Sequence, residues 1–308
     1  MKYREDSRSD QLSHRAKIIK TILKNYNKGI FPGTKNDLLS SMDSEIEEDF
    51  KYPDHLSVER ISRKKYEMEK LTWKDSDSRW AVLYLHGGGY VRPLKKNYKS
   101  MAGLYSEVGG GAVVYTVDYR VAPENPFPAA LEDARDAYDF LMEEGYDSSN
   151  IIIAGDSAGG GLAMALCHTL KATWSPLPAG IIAMSPWTDL TASGSSYEEN
   201  REIDLVLGNQ KPELLFDNPY IGDADPRDPR ISPMFGDFTG FPPMLIQVGT
   251  DEMLLSDSIT VAEKAKAGGV KVRFTIYKGM FHVFQLAGTL MKESKMAWTE
   301  VKRFMNEL

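Results

Sequence analysis

At 308 residues, with 42% apolar and 26% charged side chains, the chain has the length and balance of a globular protein that buries a large core. Its net charge of -7 is dispersed rather than blocked, which argues against nucleic acid as a partner. The single cysteine, Cys167, excludes an intramolecular disulfide and fits a reducing compartment. No apolar run reaches bilayer length, and the charged first residues do not read as a secretory signal, so a soluble cytoplasmic protein without stable membrane insertion is expected.

Residues 1–50 are polar. Leu12, Ala16, Ile19, Leu23 and Tyr26 recur at helical spacing, with Lys17, Lys20, Lys24 and Lys28 on other faces. The stripe lacks tryptophan and phenylalanine, so this helix is expected to pack on its own protein rather than on a membrane. Gly29–Gly33 ends it, and a second short helix is predicted over Asp37–Asp49. Val58–Leu71 alternates loosely and predicts strands. Trp80–Leu85 is a buried strand that ends in His86-Gly87-Gly88-Gly89-Tyr90, and Lys95–Val108 reads as a helix. Ala112–Val117 is the next strand, running into Asp118-Tyr119-Arg120-Val121-Ala122-Pro123-Glu124. A helix opens at Phe127-Pro128-Ala129 and continues to about residue 144. Ile151–Ala154, Gly180–Met184 and Met244–Val248 are further buried strands, the last two ending in Ser185-Pro186-Trp187-Thr188-Asp189 and Gly249-Thr250-Asp251. Val272–Tyr277 alternates like an edge strand open to pairing in a homodimer, and Met291–Glu307 closes as a helix. Leu190–Phe241 has no strand pattern. It is rich in Asp, Pro, Asn and Gly, with helical character only over Pro212–Phe216, and reads as a lid.

Strands alternating with helices predict an α/β fold, a mostly parallel central sheet flanked by helices, with ligands at the carboxyl ends of the strands. The expected organisation is cap helices over 1–50, core over 51–189, a cap insert over 190–241, and core again over 242–308. The core strand at 151–154 runs into Gly155-Asp156-Ser157-Ala158-Gly159-Gly160-Gly161 and then a buried helical stretch, Leu162–Cys167. This is G-x-S-x-G in a strand–turn–helix context, the nucleophile elbow of the α/β-hydrolase fold. The glycines on either side let strand and helix approach closely enough for the serine hydroxyl to stand clear.

A serine needs a base, and the base an orienting carboxylate. In this fold the chain order is serine, acid, histidine. His168 lies about three helical turns beyond Ser157, too far to reach it. His282, in the loop Lys278-Gly279-Met280-Phe281-His282, is the expected base. Of the aspartates that follow strands, Asp251 is the expected acid, and Asp189 is expected to cap the turn opening the insert. Glu252 and Asp257 read as helix N-terminal or surface carboxylates. Ala158 and the glycine loop, through Gly87 and Gly88, are the expected oxyanion donors. His86 reads as structural. The histidines lack metal-ligand spacing, and no metal or cofactor is expected.

Together, the motifs at residues 86–89, 118–124, 127–133, 155–160 and 185–190 resemble the bacterial hormone-sensitive-lipase-like esterases, over roughly residues 60–300. The resemblance implies hydrolysis of short-chain carboxylic esters, with Ser157, Asp251 and His282 as triad and Gly87, Gly88 and Ala158 as oxyanion hole. Around the acid the chain reads Asp251-Glu252-Met253-Leu254-Leu255-Ser256-Asp257, not the Asp-Pro-Leu-Arg-Asp of many members, and so resembles the acetyl-esterase-like branch. The expected partner is a small-molecule ester. The alternatives are a deacetylase or amidase on a small acetylated metabolite, and a non-catalytic ligand receptor, against which His282 counts.

Overall fold

The computed structural model describes residues 4–5, 12–27, 51–208 and 215–308. The helix expected over Asp37–Asp49, and residues 212–214 of the short helical stretch in the insert, lie outside them. Nine strands form one sheet: β1 Arg4–Glu5, β2 Leu56–Ser62, β3 Glu67–Trp73, β4 Ala81–Leu85, β5 Val113–Asp118, β6 Ile151–Asp156, β7 Gly180–Met184, β8 Met244–Gly249 and β9 Val272–Tyr277. Their order is β1-β9-β8-β7-β6-β4-β5-β3-β2. Among the described residues only the β2–β3 and β3–β5 pairs are antiparallel.

The helices are α1 His14–Asn27, α2 Lys96–Val108, α3 Ala129–Glu143, α4 Ala158–Ala172, α5 Ser196–Glu199, α6 Leu255–Ala267 and α7 Lys292–Glu307. Alternate residues of the central strands feed opposite cores, as the strand period requires. Ile152, Ile182 and Leu245 meet Met101 and Tyr105 of α2 and Trp298 and Phe304 of α7. Ile153, Ile181 and Ile246 meet Ala137 of α3, Leu162 of α4 and Val261 of α6. Covered on both faces, β6 is buried along its whole length.

The pattern misleads at one edge. β9 is not free, because Arg4–Glu5 pairs in parallel with it at Thr275 and Ile276. That pairing covers part of the edge that a homodimer through β9 would use. The amphipathic helix packs on its own chain: Ala16 is fully buried, and Leu12, Ile19 and Leu23 lie against Met280, Phe281 and Phe284. The insert carries little regular structure among the described residues: α5, helical backbone at Leu215 and Phe216 within the stretch expected to be helical, and a short 3-10 turn at Pro233–Phe235. Its Asp and Asn residues act locally instead. The side chains of Asp189, Asp204, Asn218, Asp225, Asp228 and Asp237 each accept the backbone N–H two residues on. Its apolar residues Leu190, Tyr197, Tyr220 and Ile231 join the main core. Among the described residues no helix is long and apolar enough to cross a membrane.

Candidate active site

β6 delivers Ser157 to the carboxyl edge of the sheet in a conformation rare for an L-residue, φ 52° and ψ -122°. Hydrogen bonds on both sides hold it there: Ser157 N–H donates to Met184 O at 2.9 Å, and Ser157 O accepts from Trp187 N at 2.8 Å. The flanking glycines are required sterically. A Cβ on Gly155 would strike the Gly159 backbone, and one on Gly159 would strike the carbonyls of Leu85 and His86.

His282 lies beside the serine. Its Nε2 is 2.9 Å from Ser157 Oγ, and its Nδ1 is 3.0 Å from Glu252 Oε2. The carboxylate on the histidine is thus Glu252, and the expected Asp251 is not. Glu252 is fully buried, and its Oε1 accepts from Ser185 Oγ at 2.9 Å and from the Gly249 N–H. Asp251 points the other way. Its side chain is 21% exposed, its Oδ2 meets Lys20 Nζ at 2.5 Å, and its Oδ1 accepts from Thr250 Oγ1 at 2.8 Å. The turn after β8 causes the exchange. Asp251 N–H is tied to Met280 O at 3.1 Å, and Met253 and Leu254 are drawn into the core, so Glu252 rather than Asp251 is carried inward. The apolar pair Met253-Leu254 marks the turn as one that enters the core, but does not by itself say which of the two carboxylates faces inward. Asp257 is likewise buried rather than superficial, and burial raises its pKa to about 8 while Thr188, Asp189 and Tyr197 donate to it.

Sequence reading also missed Ser185. It sits at φ 48°, donates to Glu252 and accepts from Val283 N–H at 3.1 Å, so one hydroxyl ties the acid to the residue after the base. Burial disfavours the imidazolium of His282, but the hydrogen bond and charge of Glu252, with Asp204 and Asp156 behind, outweigh it and hold the pKa above its ordinary value. Burial pushes Glu252 upward. Its hydrogen-bond donors favour the carboxylate, which puts the proton on Nδ1 and leaves Nε2 to accept from the serine.

The glycine loop crosses just above. A Cβ on Gly87 would reach Ser157 Cβ and the Asp156 carboxyl, which places this loop directly over the nucleophile. Asp156 is buried, which lifts its pKa to about 6, and the hydroxyl of Tyr84 (2.6 Å) and the Gly87 amide oppose that rise. The Gly87 backbone thus lies close against the Asp156 carboxyl. The amides of Gly88, Gly89 and Ala158 have no protein acceptor among the described residues. Gly88 and Gly89 adopt φ of 125° and 65°, conformations that suit glycine. His86 is structural, as expected: it stacks on Tyr119 at 4.3 Å, its Nδ1 lies 2.6 Å from Gly87 O, and burial lowers its pKa to about 4. Arg120 pairs with Asp133 and Glu132 rather than with Asp118 or Glu124. His168 is far from this chemistry, with Nε2 at 3.1 Å from Pro233 O. Asp189 caps the start of the insert through the N–H groups of Thr191 and Ser193. Among the described residues no cluster of three or more His, Cys, Asp or Glu is arranged to hold a metal ion.

Residues 82–286 match the α/β-hydrolase fold family. The chain belongs to that family. Its relatives include an acetyl-hydrolase of Streptomyces hygroscopicus, 38% identical over 70% of this chain and 72% of its own, and an esterase of Acinetobacter venetianus, 37% identical over 74% and 75%. Among solved structures, an esterase of the bacterial hormone-sensitive lipase family superposes with a TM-score of 0.84 at 32% identity, covering 96% of this chain and 99% of its own. The esterase EstE5, soaked with p-nitrophenyl butyrate, also gives 0.84, at 36% identity with 96% and 98% covered. The hydrolase is therefore one of the hormone-sensitive-lipase-like esterases.

Proposed function

We propose that the protein, a serine hydrolase of carboxylic esters, cleaves short-chain acyl esters through Ser157, His282 and Glu252. The observation that carries this is the continuous hydrogen-bonded chain Ser157 Oγ–His282–Glu252, with spacings of 2.9 and 3.0 Å, set beneath a glycine loop with free amides. Ser157 Oγ attacks the ester carbonyl while His282 Nε2 takes its proton. Glu252 holds the imidazole in the productive tautomer and stabilises the imidazolium. The tetrahedral oxyanion is received by the amides of Gly88, Gly89 and Ala158, the last at the N-terminus of α4. His282 then returns the proton to the leaving alcohol, and water repeats the sequence on the acyl-enzyme. The relatives named esterase and acetyl-hydrolase support small acyl groups, and the buried, unpaired Cys167 suits a reducing cytoplasm.

A p-nitrophenyl ester series from acetate to long chains tests this. Turnover is expected to be greatest on the shortest acyl groups, and Ser157→Ala is expected to lower kcat by about a millionfold. An inactive wild type, or an active Ser157→Ala protein, ends the proposal.

A further inference from the structure

The insert reaches the acid turn. At its start, Asn200 follows α5 and sends its Nδ2 to Glu252 O at 2.7 Å and to Thr250 O at 3.0 Å. Asp204, whose N–H donates to Asn200 O at 2.8 Å, accepts the Met253 N–H on Oδ2 at 2.8 Å. Its Oδ1 accepts from Val206 and Leu207 N–H, both at 2.9 Å. The acid turn is thus gripped at residues 250, 252 and 253 by two side chains from a different part of the chain. Asp204 is 2% exposed, and among the described residues no cation pairs with it. A buried anion held by amides rather than by a counter-ion keeps its field on its neighbours.

We propose that Asn200 and Asp204 are positioning residues of the triad: together they fix the turn that presents Glu252, and Asp204 sets a second buried carboxylate against that turn. The proposal rests on the triad assigned above. The groups acting electrostatically on the imidazole are Glu252, Asp204 and Asp156, the first two from the acid turn and its clamp and the third from beneath the serine, and the Asp204 charge favours the imidazolium. On the outer side of the same turn the Lys20–Asp251 ion pair faces solvent in part.

The test is kcat and kcat/KM against pH for p-nitrophenyl acetate hydrolysis by the wild type, Asp204→Asn and Asn200→Ala, with folding checked by circular dichroism. Removing the anion destabilises the imidazolium, so the acid limb of Asp204→Asn is expected to move to lower pH by roughly half a unit to one unit. Its plateau kcat is expected to fall about tenfold at similar KM, because the base is weaker and less well held. Asn200→Ala keeps every charge, so its kcat falls by a smaller factor while the limb stays in place. An Asp204→Asn protein with the wild-type limb and kcat overturns the electrostatic role, and an Asn200→Ala protein with wild-type kcat overturns the grip. If Asp204→Asn does not fold, Asp204→Ala, which removes the charge without adding a buried donor, is expected to show the same shift. An inactive wild type or an active Ser157→Ala would count against the triad instead, so the two failures are distinguishable.

Discussion

The nucleophile turn and the acid turn meet at one histidine but are assembled differently. Ser157 is set by its own strand, its own helix and the glycines between them, with packing partners Leu85, His86 and Trp187 close around it. Glu252 is set by Ser185 after β7, Asn200 and Asp204 in the insert, Met280 after β9 and, through Asp251, Lys20 of α1. The first is built on a contiguous motif whose rules are mainly steric, pinned from outside by Met184 and Trp187. The second is a tertiary device, in which neighbours distant in sequence decide which of two adjacent carboxylates faces inward.

The largest expected effect tests that decision. Glu252→Gln keeps the shape of the side chain and removes its charge. By analogy with amide replacement of a triad carboxylate, it is expected to lower kcat by about a thousand- to ten-thousandfold. Asp251→Asn, one residue away, is expected to change kcat by less than about threefold, because its exposed pair with Lys20 lies outside the proton path. Steady-state kinetics on p-nitrophenyl acetate measures both, and the reverse ranking would return the acid to Asp251.

The elbow is expected to fail through stability instead. Gly159→Ala places a methyl against two backbone carbonyls that cannot swing aside. A loss of roughly 3 kcal/mol or more is expected in thermal or urea unfolding, from overpacking at a rigid site. A normal melting temperature for that variant would mean that the strand and helix can separate without penalty.

This contrast also explains what was legible in the sequence. The parallel sheet, the elbow, the glycine loop and His282 followed from contiguous patterns, in which hydrophobic runs mark strands and special residues mark their ends. The sequence points to Asp251, which comes straight after Gly249-Thr250 on the strand next in sequence to the histidine strand, and leaves Glu252 as a helix N-terminal or surface carboxylate. The rotation of that turn depends on contacts with Met280, Asn200 and Asp204 that no local pattern encodes. Ser185 was visible only as part of a Ser-Pro-Trp motif. The covered edge of β9 could not be read because its partner is a two-residue strand at the other end of the chain. The Asp- and Asn-rich insert was recognised as irregular, but its buried hydrophobic contacts with the core were not.

Ser185 lies between the two devices, and its loss is expected to have an intermediate effect. Ser185→Ala leaves the buried Val283 N–H without its acceptor and Glu252 without one donor. A fall in kcat of roughly ten- to a hundredfold is expected, from displacement of the pair it aligns. Ser185→Gly loses the same hydroxyl but relieves the φ of 48°, so comparing the two separates strain from hydrogen bonding. The pH profile tests the same link. His282 must be neutral to accept the serine proton, and its pKa is held above the ordinary 6.5, so the acid limb of wild-type kcat/KM is expected above pH 6.5. A limb well below that value would mean that burial, not Glu252, governs the imidazole.

The smallest expected effect lies at the outermost tie. Lys20 reaches from α1 to Asp251 and to Gly279 O at 2.8 Å, joining the acid turn to the loop that carries His282. Both charged side chains are 21% exposed, so water and salt compete for the pair. Lys20→Met is expected to cost about 1 kcal/mol or less in stability and less than about threefold in kcat, with Lys20→Arg close to wild type. Raising ionic strength is expected to bring wild type and Lys20→Met together, since a partly exposed ion pair is screened within about 10 Å at 0.1 M salt. A loss approaching that of Glu252→Gln would instead mean that the outer side of the acid turn is as constrained as the inner side, and that the buried contacts from Ser185, Asn200 and Asp204 do not hold Glu252 by themselves.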